Sequence, residues 1–594
     1  MSRRRRSKQP STEQARQQQT PQPNIEQADA GNGRYDIVVL AVLLAVGGYF
    51  SVIYFAHQPV PNPDFTAFTD IGHQLLSFNQ PASYKRVPVF GIMIAAVSHI
   101  VGGHHPDLTA GWVINAVLYP MCGVLLWRIA KKIVAAGAEW IALIVMMNPY
   151  VLGLVSEPIA EITLLFFVLL TCFLMLKGSR WCYLAASVTM MVRYEGAALI
   201  LAGFVLDMIE RKGKKEKIKS LICAAAASVP LMVWMYLTYT SGKEMGQTHY
   251  LNEMGEGGAF GDTFVKYLNL MWQVSAGTLF AVRPDGSKGL AEFVANASKV
   301  VLAAGFLFGC VWSIVKKQWK IPALLIFLVP YYIIHVLHSF VLARFCIIVF
   351  WMVILVAVYG LQSAWAFVKL PKSAKVILQS VLIAAVIAWT VSLLGTIPKL
   401  AAYSPKSAGA PYVLTAAVLV LFVGYSVIFK ARRILGKGAV AAVLTLMVVS
   451  SQFTLVRVVG LGMKHIEFKM LAKWYVEEAE PGAKMACALP NVLNIYAPKH
   501  KGAFVHFSSI QADSPEDFVR ICYKRKIKYV AWDSVGGMQV GGRYYKLWGF
   551  KNIAVLSRPK SIGPYEFVTQ IKASDRQYIN VFRLKEIGDG SQAP

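Results

Sequence analysis

Residues 36–76 read DIVVLAVLLAVGGYFSVIYFAHQPVPNPDFTAFTDIGHQLL. A span needs about 20 apolar residues to cross roughly 30 Å of hydrocarbon, and 36–56 supplies them with one charge, Asp36. The tail before it opens MSRRRRSK and runs past 30 residues, too long and polar to begin a signal peptide. The first span is therefore expected to stay as an anchor. Residues 1–34 are expected as a basic, disordered tail in the cytoplasm. After three prolines, Asp64, Phe68, Ile71, Gly72 and Leu75 fall on one face of a helix that would lie on the outer membrane surface with Asp64 at its start.

The rest of the chain follows the same pattern. Of 594 residues, 56% are hydrophobic and only 15% charged, against roughly 25% charged in a soluble protein. Neither a soluble enzyme nor a disordered chain is expected. The net charge of +28 invites a nucleic-acid partner, but in the apolar part the basic residues sit mainly in short gaps between apolar runs. No nucleic acid is expected.

Further runs centre near 110–128, 137–153, 159–176, 181–193, 195–209, 218–240, 294–315, 321–337, 341–362, 375–396, 411–429 and 438–458. The expectation is a polytopic α-helical membrane protein of about thirteen spans. The clusters Arg128/Lys131/Lys132, Lys177/Arg180, Arg211–Lys219, Lys316/Lys317/Lys320, Lys369/Lys372/Lys375 and Lys430–Lys437 fall at every second gap. The positive-inside rule puts them in the cytoplasm. This requires 88–103, which begins at Pro88, to be an interfacial helix. The membrane domain is then 35–461, with long outer loops at 57–109 and 241–292. The Gly-rich stretch QTHYLNEMGEGGAFGD in the second loop reads as a mobile lid or a plain loop. Residues 462–594 are expected as a small extracytoplasmic α/β domain, since PEDFVRICYKRK is helix-like and IKYVAWD, NIAVL, YEFVTQI and YINVFRL are strand-like. Six cysteines lie in or beside apolar runs and read as buried hydrophobes. Cys487 and Cys522 would pair only in an oxidising compartment.

No Asp or Glu occurs between Glu292 and Glu467, so outward carboxylate chemistry must come from the first half of the membrane domain. Ionisable groups at the bilayer edge carry a functional prior. Asp64 is either a functional carboxylate or a helix cap after Pro63. Lys85-Arg86, on the outer side against the positive-inside trend, fit a phosphate or ordinary lipid head groups. Arg193 and Glu195 in MMVRYEGAAL read as site residues or as a buried structural pair. Arg344 is a lone cation near the outer end of a span, with His338 six residues before it. Glu157 and Glu161, at i, i+4 in SEPIAEI, could share a divalent metal or simply favour a helix start. His104-His105-Pro-Asp107 lacks a third metal ligand.

Together these features resemble the GT-C glycosyltransferases, polytopic enzymes that use polyprenyl-phosphate sugars. Asp64, Phe68 and Gly72 match an Asp just past span 1, an aromatic four residues on and a small residue eight on. Lys85-Arg86-Val87-Pro88 matches a basic residue before a proline-led helix. SEP (156–158), VRYEG (192–196) and ARF (343–345) also look like family segments. The likeness covers roughly 36–460 and is similar in architecture to lipid A aminoarabinose transferases and protein O-mannosyltransferases. The chain departs from the pattern in having Phe65 beside the loop Asp, no Asp-X-Asp in the outer loops and no Trp-Trp-Asp in the tail.

The resemblance implies sugar transfer, with inversion, from a polyprenyl-phosphate donor to a lipid, glycan or protein acceptor. It places the reaction at the outer face of a bacterial-type inner or plasma membrane, in contact with membrane lipids. Asp64 would be the base. Lys85, Arg86, Arg193 and Arg344 would hold the donor phosphate, with Glu157, Glu195 and His338 in support. No metal ligand set is assigned, and a divalent metal is left open. The rival reading is a multi-span lipid or sugar transporter or flippase, which requires ionisable groups near span centres and related halves. A third is a membrane anchor for a ligand-binding tail.

Overall fold

The computed structural model describes residues 33–84, 86–134, 137–245, 260–280, 290–337, 341–367, scattered positions between 371 and 421, and 465–585 apart from 511, 513, 535–560, 562, 575 and 576. The expected spans at 375–396, 411–429 and 438–458 lie almost wholly outside the described residues. So do the tail to residue 32 and the strand expected at NIAVL.

The first span is helix α1 (Gly33–Tyr54), and the outer loop after it carries α2 (Phe65–Leu76) and α3 (Val89–Val101). Val39, Leu43, Val46 and Phe50 of α1 are buried at helical spacing against α4 (Pro106–Ala130). At 1.5 Å per residue α3 is about 20 Å long, too short to cross upright. The expected span 137–153 is broken. Helices α5 (Ala138–Met146) and α6 (Pro149–Ser156) meet at 58°, because Pro149 lacks an N–H and the Asn148 side chain accepts instead from the Tyr150 backbone N–H at 2.8 Å.

There follow α7 (Ala160–Leu176), α8 (Trp181–Val192), a 3-10 turn (Tyr194–Ala197), α9 (Ala198–Glu210) and α10 (Lys214–Met245). Part of the second outer loop proves helical: α11 (Phe260–Phe280) buries Tyr267, Met271 and Val274. Of the expected lid QTHYLNEMGEGGAFGD, the last three residues begin α11 and residues 247–259 lie outside the described residues. Then come α12 (Leu290–Val315), α13 (Lys320–Val336), α14 (Ala343–Ile347) and α15 (Phe350–Phe367), the last two splitting the expected span 341–362. Helices α12 and α15 cross at three glycines: a Cβ on Gly360 would lie 1.9 Å from Gly305 O and 2.6 Å from Gly309 N. Such small-residue seams let membrane helices approach closely.

Among the described residues four helices are long and apolar enough to cross a membrane, or five if the bent α5–α6 pair is one span. The expected thirteen is not reached there. Polar breaks at Asn148, at Arg193–Glu195 and before Phe350 leave several apolar segments shorter than their sequence runs suggest. The basic clusters at 128–132, 177–180, 211–219 and 316–320 lie at helix ends. At the first of these, Lys131 Nζ meets Asp36 Oδ2 at 2.7 Å.

The C-terminal region forms the expected α/β unit: α16 (Ile466–Glu478), β1 (Lys484–Cys487), α17 (Pro490–Tyr496), β2 (Phe504–His506), α18 (Pro515–Lys524), β3 (Ile527–Asp533), β4 (Tyr565–Ser574) and β5 (Gln577–Leu584). Its sheet runs β2-β1-β3-β5-β4, parallel across β2, β1 and β3 and antiparallel beyond. Cys487 and Cys522 are both buried and free, so the conditional pairing is not formed. The first sits on β1 and the second on α18, and each fills apolar core. Val60 of the first outer loop is buried in this unit's core, and the Tyr496 hydroxyl donates to the Pro59 carbonyl. The domain therefore grips the chain four residues before Asp64.

Candidate functional site

Asp64 occupies the N-cap position of α2, yet its side chain caps nothing. The Asn62 side chain takes over the local work. Its Oδ1 accepts from the Asp64 backbone N–H at 3.0 Å, and its Nδ2 donates to Glu157 Oε1 at 3.1 Å. The Asp64 carboxylate is thereby left to turn toward two guanidiniums. Arg86 Nη2 donates to its Oδ1 at 2.8 Å, and Arg344 Nη2 stands 3.5 Å from its Oδ2. Simple capping is thus excluded for this residue.

Arg86 is set by its loop. The Tyr84 carbonyl accepts from Trp234 Nε1 at 3.2 Å and from Thr238 Oγ1 at 3.0 Å, both on α10. The Ala82 backbone N–H donates to Gln74 Oε1 of α2 at 2.9 Å. Helices α2 and α3 meet backbone to backbone: a Cβ on Gly72 would fall 2.0 Å from Gly91 O. That contact fixes how near Asp64 and Arg86 lie.

Arg193 ends α8 in extended backbone. Gly196 lets the following 3-10 turn fold back, since a Cβ there would lie 2.6 Å from Met190 N. Arg193 Nη2 donates to Glu195 Oε1 and Nη1 to Glu161 Oε1, each at 2.9 Å. Glu161, in the first turn of α7, also lies 3.5 Å from Arg344 Nε and so joins Arg193 to the Asp64 pair. Phe345 is the platform: Arg193 and Arg344 lie 5.1 and 5.3 Å from its ring centroid, and His335 stacks on it at 4.3 Å. His335 Nε2 approaches Glu195 Oε1 to 3.5 Å.

The site therefore joins residues separated by as many as 280 positions. Arg86, Arg193 and Arg344 face Asp64, Glu161 and Glu195. This pairing is how six charges can sit among apolar helices at all. The network has two faces. Glu161 and Glu195 are buried at 1% and 4% side-chain exposure, whereas Asp64 keeps 33%, with Arg86 at 23% and Arg344 at 22%.

Of the expected site residues, Asp64, Arg86, Arg193, Arg344 and Glu195 gather in this network. Glu157 adjoins it through Asn62. Its main chain is held by Asn115 of α4, whose Nδ2 donates to the Glu157 carbonyl at 2.7 Å. Lys85 and His338 lie outside the described residues. Glu157 and Glu161 share no helical face, because Glu157 is extended at the end of α6 and Pro158 separates it from α7. Among the described residues no three His, Cys, Asp or Glu side chains could hold a metal ion. Two members were not assigned this role from the sequence: Glu161, weighed only as a metal-sharing partner of Glu157 or a helix-start acid, and His335. A signal for His335 existed: Phe327, Tyr331 and His335 recur at i, i+4 and are all buried, which marks an inward stripe on α13.

No protein-family model and no curated protein matches the chain. Solved structures do. With ArnT from Cupriavidus metallidurans bound to undecaprenyl phosphate, the chain shares 13% identity over 92% of its length and 97% of the other, at a TM-score of 0.51. With the oligosaccharyltransferase of Archaeoglobus fulgidus in the apo form the identity is 12% over 90% and 73%, at a TM-score of 0.48. Both are GT-C glycosyltransferases. At such identity the likeness to the first is one of fold alone, and it agrees with the GT-C architecture that the order of the sequence features resembles.

Proposed function

We propose that this chain is an integral membrane glycosyltransferase. It moves a sugar from a polyprenyl-phosphate carrier to an acceptor at the extracytoplasmic face, with Asp64 as base. The observation that carries this is the Asp64 carboxylate, freed from capping and set between Arg86 and Arg344 on the open side of the network. A carboxylate and cations side by side suit the reaction. Asp64 takes the proton of an acceptor hydroxyl or amine, whose lone pair attacks the anomeric carbon in line. The bond from that carbon to the phosphate oxygen breaks, its electron pair leaves with the phosphate, and configuration inverts. The leaving group needs no protonating acid when guanidiniums meet its charge, and charge-assisted hydrogen bonds contribute about 1.5–3 kcal/mol each. A glycosidase would require two facing carboxyl groups with separate acid and base roles.

The transporter reading finds less support. It needs ionisable groups near span centres, whereas the paired charges of the described helices gather at helix ends. The test is sugar transfer by the purified protein in vesicles containing a polyprenyl-phosphate sugar. Replacing a general base costs about 10²–10⁴-fold in rate, so Asp64→Asn should lose that much. Transfer at the wild-type rate would remove Asp64 from the mechanism.

A further inference from the structure

The three guanidiniums of the network are not equivalent. Arg193 is committed: two buried carboxylates take its N–H groups at 2.9 Å, and Phe345 covers its face at 5.1 Å. Arg86 and Arg344 instead share Asp64, whose side chain is a third exposed at 33%. A phosphate entering from the open side meets these two first. It also meets the Asp64 carboxylate, an anion already on the donors that a phosphate needs.

We propose that Asp64 holds the place of the donor phosphate in the empty protein, that of the three described guanidiniums Arg86 and Arg344 form the phosphate site, and that phosphate binding displaces the carboxylate. This rests on the glycosyltransferase reading and narrows it, since Arg193 becomes a positioning residue that fixes Glu161 and through it Arg344. The exchange is chemically simple. Each guanidinium swaps a carboxylate for a phosphate, which offers more oxygens to its planar fork. Asp64 then turns its oxygens to the acceptor. The base is therefore armed only when the donor is in place, and donor binds before acceptor.

The test reads the sign of a binding change. A short-chain polyprenyl phosphate is titrated into the full-length protein in detergent and followed by tryptophan fluorescence, with thermal unfolding as the folding control. Removing a like charge from an anion site should tighten binding, on the order of tenfold. Asp64→Asn is expected to bind the lipid phosphate about that much more tightly while losing transfer. Asp64→Ser, which keeps a good helix-start residue, should shift binding the same way and serves if the first variant does not fold. Arg86→Gln and Arg344→Gln should each weaken binding. If the arginine variants weaken it but both Asp64 variants leave it unchanged or weaker, the displacement is wrong and the phosphate site stands. If neither arginine variant alters affinity, the phosphate is not held here and the functional reading of this site falls with it.

Discussion

The contact between Gly72 and Gly91 sets the width of the site, and one methyl group tests it. In Gly72→Ala the new Cβ would lie 2.0 Å from Gly91 O and 2.2 Å from Gly91 C, where ordinary contact begins at 3.4 Å. Both obstacles are backbone, so no side chain can swing aside. The helices must part by about 1.4 Å (3.4 − 2.0) or bend locally to the same effect. Asp64 leads into α2 and Arg86 into α3, and their bond is 2.8 Å long. Half of that retreat stretches it to about 3.5 Å, the outer edge of a hydrogen bond. Overpacking of this kind costs about 1–3 kcal/mol, and misplacing a catalytic group by about 1 Å costs on the order of 10²-fold in rate. The assay is initial-rate sugar transfer in vesicles beside thermal unfolding in detergent. Gly91→Ala, whose Cβ would lie 2.1 Å from Phe68 O, should act alike, and the pair should be less than additive because both open one seam. Gly48→Ala in α1 meets nothing within 4 Å and is the control with unchanged rate. A Gly72→Ala protein with wild-type rate and stability would refute the claim that this seam positions Asp64.

Two further outcomes follow from charges whose partners are known. Glu161→Gln leaves Arg193 and Arg344 one carboxylate short in a buried site, and breaking such a pair costs about 3–5 kcal/mol; thermal unfolding should register it, and an unshifted midpoint would show that Glu161 holds nothing together. In the C-terminal domain Glu480 accepts from Lys528, with Arg583 Nη1 at 3.6 Å; the Lys528 ammonium holds its carboxyl below the usual range. A carboxyl depressed on folding adds stability above its unfolded value of about 4.3, and that stability is lost as pH falls through the folded value. Amide protection in β3 and β5, taken relative to the intrinsic exchange rate at each pH, should therefore fall below about pH 4, and Glu480→Gln should show lower protection already at pH 6 with a smaller further change in acid.

What the chain discloses locally, it discloses well. The span, the prolines and the face Asp64–Phe68–Gly72 are consecutive features, and the structure keeps them: Phe68 and Gly72 are buried while Asp64 faces the arginines. Period-two patterns placed β4 and β5 within a few residues. The errors share one cause, an element whose geometry is set by something distant or by a single break. Glu157 and Glu161 look like one helical face until Pro158 is allowed its effect. His335 carries a signal that nearness to Arg344 along the chain does not weigh, its position on the α13 stripe, whereas His338 lies outside the described residues. The second outer loop is expected only as a lid or plain loop, although Tyr267, Met271 and Val274 stand at i, i+4 and i+7 and mark a buried helical face. No local rule could have paired Arg344 with Asp64.

Composition nonetheless constrained that pairing. From residue 293 to 466 the chain has no carboxylate, so Arg344, a half-buried cation beside Phe345, has no acidic partner anywhere in that stretch. An unpaired guanidinium at the edge of the hydrocarbon is costly. It is relieved only if α14 packs where an earlier segment offers a carboxylate, and the described structure gives it two, Asp64 and Glu161. Closing the helical domain and assembling the site are then one event. The same need that brings the late helices onto the first outer loop puts a cation beside the candidate base. A substitution that supplies α14 with its own acid, such as Ala343→Glu, would remove the reason for Arg344 to reach Asp64.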